Sequence, residues 1–87
     1  MMQKPARILV AEDETLIRMD LVEMLREAGY EVVGEATNGQ EAIELAESLR
    51  PDIAILDVKM PVLDGISAAE QIINIAPVLM LTAYSQR

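Results

Sequence analysis

Asp52-Ile-Ala-Ile-Leu-Asp57 is a run of four apolar residues with a carboxylate at each end. An apolar run without polar alternation suits a strand covered on both faces, as in a parallel sheet. Pro51 stops whatever helix precedes it, because proline lacks the N–H a helix needs. That preceding segment opens at Asn38, a favoured N-cap, with Glu41 three residues on as a capping box would place it. Ala42, Leu45, Ala46 and Leu49 then follow helical spacing. Downstream, Val58 to Asp64 is a loop carrying Pro61. Asp64-Gly65 turns into a helix predicted from about Ile66 to Ile75, with Ile66, Ala69, Ile72 and Ile73 inward, and Pro77 to Thr82 reads as the fourth strand.

Toward the N-terminus the same grammar repeats. Glu31 to Ala36 is a short second strand. Glu14 to Ala28 is a helix whose stripe of Ile17, Leu21, Met24, Leu25 and Ala28 is expected to face the core, and Gly29 stops it where a left-handed cap is wanted. Arg7-Ile-Leu-Val-Ala11 is the first strand, continuous and doubly buried. Strands alternating with helices give βαβαβαβ, an α/β domain with a parallel sheet. Residues 1–87 form a single unit, since 87 residues leave no room for a second core.

Composition narrows the chemistry. With 52% hydrophobic residues the chain can build a core, but two Tyr and no Phe or Trp make that core aliphatic. Without Cys or His there is no thiolate, imidazole base or imidazole-held zinc. Carboxylate, hydroxyl and lysine remain. A net charge of −8, with seven scattered basic residues, argues against this segment binding nucleic acid or an anionic membrane. No apolar run approaches the roughly 20 residues needed to span a bilayer, so a soluble, cytoplasmic protein is expected.

Ligands of open parallel sheets bind outside the carboxyl ends of the strands, so those ends are where function is sought. The first strand delivers Glu12-Asp13-Glu14, the third Asp57 and then Lys59, the fourth Thr82-Ala83. Glu12, Asp13 and Asp57 are expected to converge on one crevice. Clustered carboxylates repel each other unless a hard cation joins them, and Mg²⁺ suits a site with few protein oxygens and room for phosphate. A carboxylate also serves as nucleophile toward a phosphoryl group, a transfer that needs mainly positioning and charge neutralisation. The bland uses of the same residues are a turn aspartate for Asp57, first-turn acids for Glu12 and Asp13, and a strand threonine for Thr82. None of these explains why all lie at strand ends.

Val10-Ala11-Glu12-Asp13-Glu14, Asp57-Val58-Lys59-Met60-Pro61 with Asp64-Gly65, and Leu81-Thr82-Ala83 together resemble the response-regulator receiver domains of two-component signalling. The resemblance implies a flavodoxin-like, doubly wound sheet of order 2-1-3-4-5 and phosphorylation by a sensor histidine kinase with Mg²⁺. It further implies Asp57 as phosphoacceptor, Asp13 as direct metal ligand, Glu12 as its partner through water, Lys59 giving its backbone carbonyl to the metal, and Thr82 hydrogen-bonding the phosphoryl group. The family's fifth strand, with its lysine and switch aromatic, and the last helices have no counterpart before Arg87, and the stretch around Asn74 and Ile75 is about two residues short of the family's usual length. The expectation is that residues are missing at both places. A chain ending at Arg87 would expose Val78 to Leu81 as an apolar edge, inviting dimerisation by strand pairing or swapping. Ala11 to Leu21 and Thr82 to Arg87 are similar to receivers that precede an RNA-binding ANTAR antitermination domain, which would make the output a C-terminal RNA-binding partner.

Two other classes stand against this reading. A nucleotide-binding module needs a Gly-rich loop where Glu12-Asp13-Glu14 stands. A Mg²⁺-dependent phosphohydrolase needs a second acid beside Asp57 to protonate the leaving group, and Val58, Lys59 and Met60 supply none. The protein is expected to be a switch and not an enzyme.

Overall fold

A computed structural model describes residues 4–81. The elements are β1 (Arg7–Ala11), α1 (Thr15–Glu27), β2 (Glu31–Ala36), α2 (Gly39–Leu49), β3 (Ile53–Asp57), α3 (Gly65–Ile72) and β4 (Val78–Leu81). All strand pairings are parallel, and the sheet order is β2-β1-β3-β4. The parallel α/β sheet expected from the strand–helix alternation forms, in the flavodoxin-like 2-1-3-4 order that the resemblance implies.

The two faces of the sheet carry two aliphatic cores. Leu9, Ala11, Ala54 and Leu56 meet Ala42, Ile43 and Ala46 of α2 and Ala68 and Ile72 of α3. Ile8, Val10 and Ile55 meet Val22 of α1, with Leu21 and Leu25 partly buried beside it. Alternate residues of β1 and β3 thus feed opposite cores, which is why neither strand shows polar alternation.

Helix faces differ from expectation in two places. α1 packs over β1 and β2, so only the side bearing Val22, Leu21 and Leu25 meets the sheet. Ile17, Met24 and Ala28 of the anticipated stripe are exposed. α3 begins at Gly65, one residue earlier than expected, and ends at Ile72. Its inward positions are Gly65, Ala68 and Ile72, while Ile66 and Ile73 face outward. The close seat of Gly65 against β3 sets that roll. Between Ile72 and β4 the chain turns tightly, with the Ile75 and Ala76 N–H groups both bonding the Ile72 carbonyl at 2.7 and 2.9 Å. Leu79 of β4 is exposed, whereas Val78, Met80 and Leu81 are half-buried.

The caps hold the site-bearing ends in place. Asn38 Oδ1 accepts from the Glu41 N–H at 2.8 Å, as expected of an N-cap, but Glu41 reaches back to the Thr37 N–H at 2.7 Å and not to Asn38. Asp64 caps α3 by accepting from the Ser67 N–H at 2.7 Å, a bond that holds its carboxyl below the ordinary aspartate range. Gly29 adopts φ +97, the left-handed stop anticipated for α1. At the C-terminus of α2 the Arg7 guanidinium donates to the carbonyls of Arg50 and Leu49 at 2.8 and 2.9 Å, satisfying groups that a helix end leaves unpaired.

The β3–α3 loop contains a strained turn. The Leu63 N–H bonds the Pro61 carbonyl at 2.7 Å, closing a γ-turn around Val62, whose φ is +67. A β-branched residue in that region costs about 1–3 kcal/mol. The Val62 side chain is 82% exposed and has little burial to lose. Val62→Gly is therefore expected to stabilise the fold by about 1 kcal/mol, since relief of strain exceeds the roughly 0.5–1 kcal/mol entropic cost of glycine. Urea denaturation measures it, and a destabilised variant would rule out a strained Val62.

Candidate metal and phosphoryl site

Glu12 and Asp13 follow the last residue of β1, and Asp57 is the last residue of β3. Because β1 and β3 are parallel neighbours, with Ala11 opposite Leu56, their carboxyl ends lie side by side. One carboxylate oxygen from each of Glu12, Asp13 and Asp57 lies within 4.8 Å of the others. Glu12 and Asp57 are buried, at 4% and 6% exposure, whereas Asp13 is exposed. The convergence anticipated from strand-end position is present.

The surroundings leave this negative charge largely uncompensated. Glu12 Oε2 accepts the Glu14 N–H at 3.0 Å, and the Arg18 guanidinium pairs with Glu35; among the described residues no ion pair is made to the three carboxylates. Burial is the main reason the Glu12 carboxyl is pushed above its ordinary value; the Asp57 charge and the neighbouring Asp13 add to it, and the Glu14 N–H partly offsets it. A raised carboxyl pKa means that the fold is favoured by a neutral Glu12. That stability is fully present below the unfolded glutamate pKa of about 4.3 and is lost as pH rises through the higher folded value.

Metal-free Glu12→Gln is accordingly expected to melt higher than the parent at neutral pH. The gap should close as pH falls toward about 4, where the parent's Glu12 is also neutral. Melting curves in a chelator across that range would read this out, and a neutral-pH loss would contradict the repulsive cluster.

Three oxygen ligands, two of them buried and carrying unbalanced charge, fit a hard divalent cation. An open cleft runs from Asp13 along Val58, Lys59, Met60 and Pro61 to Asp64, so a ligand can approach from the Asp13 side. Lys59 lies on this cleft with its side chain exposed. Thr82 lies outside the described residues. Gly65 seats the start of α3 against the end of β3: its N–H bonds the Val58 carbonyl at 2.9 Å, and a Cβ added to it would collide with the Asp57 carbonyl. Sequence reasoning assigned Asp64-Gly65 to a turn and missed this contact with the Asp57 peptide. It also missed Arg18, whose Nη1 donates to the Glu12 carbonyl at 2.8 Å.

Among known proteins, the family of the response regulator receiver domain matches residues 8–87. The transcriptional regulatory protein PdtaR of Mycobacterium tuberculosis is 66% identical over 85 residues, which cover 95% of this chain and 42% of PdtaR. The chain thus spans well under half the length of that relative. The signal receiver domain of the response regulator NarL from Mycobacterium tuberculosis superposes with a TM-score of 0.89 at 34% identity, covering 97% of this chain and 71% of that one. The CheX-CheY-BeF3-Mg²⁺ complex from Borrelia burgdorferi contains a similar chain, with a TM-score of 0.87, 26% identity, and coverage of 95% and 66%. On the match across nearly its whole length, with a parallel 2-1-3-4 sheet and three acids at its strand ends, the chain belongs to the response regulator receiver domain family.

Proposed function

We propose that the chain is a phosphoryl-acceptor switch of a two-component relay, phosphorylated on Asp57 with Mg²⁺. The observation that carries this is the buried Asp57 carboxylate at the end of a central strand, within 4.8 Å of the Glu12 and Asp13 oxygens. In this reading a carboxylate oxygen of Asp57 attacks the phosphorus of a phosphohistidine on a sensor histidine kinase. The new O–P bond forms as the N–P bond breaks, and the electron pair returns to the imidazole. Asp13 and Asp57 would hold Mg²⁺ directly, with Glu12 assisting through water and the Lys59 backbone carbonyl as a further ligand. When bound, the ion neutralises charge on the acids and on the phosphoryl oxygens. The Thr82 hydroxyl donates to the phosphoryl group. The Mg²⁺ named with the Borrelia burgdorferi complex supports this choice of ion.

The output follows from likeness to PdtaR, whose name describes a transcriptional regulator. Further sequence beyond this segment would carry an RNA-binding antitermination domain of the ANTAR type, in a cytoplasmic protein. No helix among the described residues is long and apolar enough to cross a membrane.

Incubation with acetyl phosphate and Mg²⁺ should load one phosphoryl group per chain. Phosphate release from p-nitrophenyl phosphate should stay at background, because the acids beside Asp57, Glu12 and Asp13, are the ones assigned to the cation and so are not free to protonate a leaving group. Sustained turnover of that ester would replace the switch with a phosphohydrolase.

A further inference from the structure

Arg18 lies one turn into α1, its own N–H bonded to the Glu14 carbonyl at 2.9 Å. Its side chain turns back toward the acids. Nη1 donates to the Glu12 carbonyl at 2.8 Å, and Nε pairs with Glu35 Oε1 of β2 at 3.3 Å. The Arg18 side chain is 14% exposed, so it is largely enclosed and not waving in solvent. Glu12 is held from its other side as well, by its N–H to the Ala36 carbonyl at 3.0 Å. One arginine therefore ties α1, the β1–α1 loop and the end of β2 together at the residue that precedes Asp13.

The position of that carbonyl matters because a peptide unit is planar. The Glu12 C=O, the Asp13 N–H and the Asp13 Cα share one plane, so holding the oxygen restrains where the Asp13 Cα sits and hence the origin from which its carboxylate reaches into the site. Asp13 is the exposed member of the triad, and packing does not aim it as it aims Glu12 and Asp57. We propose that Arg18 is a positioning residue for the carboxylate site, holding the Glu12–Asp13 peptide so that the Asp13 carboxylate is aimed at the cation. This inference rests on the Mg²⁺ reading of the site.

The sign of one measurement separates positioning from charge. A guanidinium near the cluster repels a cation, so if Arg18 acted only through charge its removal would tighten Mg²⁺ binding. If it acts by positioning, removal weakens binding. Partners that orient metal ligands cost about 10–100-fold in affinity when removed, and a partner acting through the backbone belongs at the lower end.

Mg²⁺ itself is titrated into the protein, with amide NMR reporting both affinity and fold. Arg18→Met is expected to weaken Mg²⁺ binding about tenfold. Arg18→Gln, too short for the fork but at home in a helix, should do the same and decides the matter if the methionine variant loses its native spectrum. Glu35→Gln removes the ion pair but leaves the bond to Glu12, and should stay within about twofold of the parent. Ile72→Val, which weakens the core away from the acids, should also leave affinity unchanged and so excludes a general loss of stability as the cause. Binding by a folded Arg18 variant that equals or exceeds the parent's would overturn the proposal. A parent that binds no Mg²⁺, or an Asp13→Asn variant that binds as the parent does, would instead remove the metal reading beneath it.

Discussion

Gly65→Ala is expected to lower stability by about 3 kcal/mol or more, the upper range for forcing an atom into packed structure. A Cβ built at Gly65 would collide with the Asp57 carbonyl oxygen, and would lie 2.8 Å from that carbonyl's carbon and 3.0 Å from the Val58 Cα. All three are backbone atoms at the end of a central strand, so no side chain can swing aside. For a domain of this size about 1 kcal/mol shifts the melting temperature by roughly 4–8 °C, so a drop of more than about 10 °C should be seen. Gly34→Ala is the natural comparison, because the atoms nearest its Cβ would be the methyl tips of Leu49, Leu9 and Leu45, which are side-chain ends that can move. It should be much milder. Whatever Gly65→Ala protein remains folded should bind Mg²⁺ poorly, since relief of the clash displaces the Asp57 backbone. Thermal melting of the two variants side by side decides it. A Gly65→Ala protein as stable as Gly34→Ala would mean that the loop does not pack on Asp57 as described.

Much of this arrangement was legible beforehand, for a physical reason. Strands buried on both faces must be continuously apolar, so Ile8 to Ala11 and Ile53 to Leu56 announce themselves and their carboxyl ends. Parallel pairing then places Glu12, Asp13 and Asp57 together without any knowledge of side-chain packing. Helix orientation is a different matter. α1 carries more apolar residues than its contact with β1 and β2 can cover, and nothing local distinguishes Val22 from Ile17 or Met24. In α3 the face was set by the backbone seat of Gly65, which a stripe of isoleucines does not reveal.

The long-range polar ties were also hidden. Arg7 capping α2 and Arg18 reaching the Glu12 carbonyl each read, in a linear sequence, as an ordinary solvated charge. A valine gives no hint of positive φ, so the γ-turn at Val62 had no signal either. The expected role of Thr82 falls outside the described residues.

The second large effect is the loss of phosphoryl acceptance in Asp57→Ala. Three acids share the crevice, but they are not equivalent. Glu12 is buried and engaged by the Glu14 N–H, and Asp13 is exposed at the rim. Asp57 is buried at the end of β3 with a carboxylate oxygen within 4.8 Å of those of Glu12 and Asp13, and the open cleft runs along Asp13 and the Val58–Pro61 stretch that follows it. Removing its carboxylate should abolish acceptance, and Asp13→Asn should reduce it sharply through the cation while leaving Asp57 intact.

The direct measurement is intact-mass analysis after incubation with acetyl phosphate and Mg²⁺, for the parent, Asp57→Ala and Asp13→Asn. The parent should gain the mass of one phosphoryl group, and a chelator should prevent it. Asp57→Ala should gain none. Labelling of a folded Asp57→Ala protein to the parent's extent would contradict the assignment of Asp57 as the acceptor.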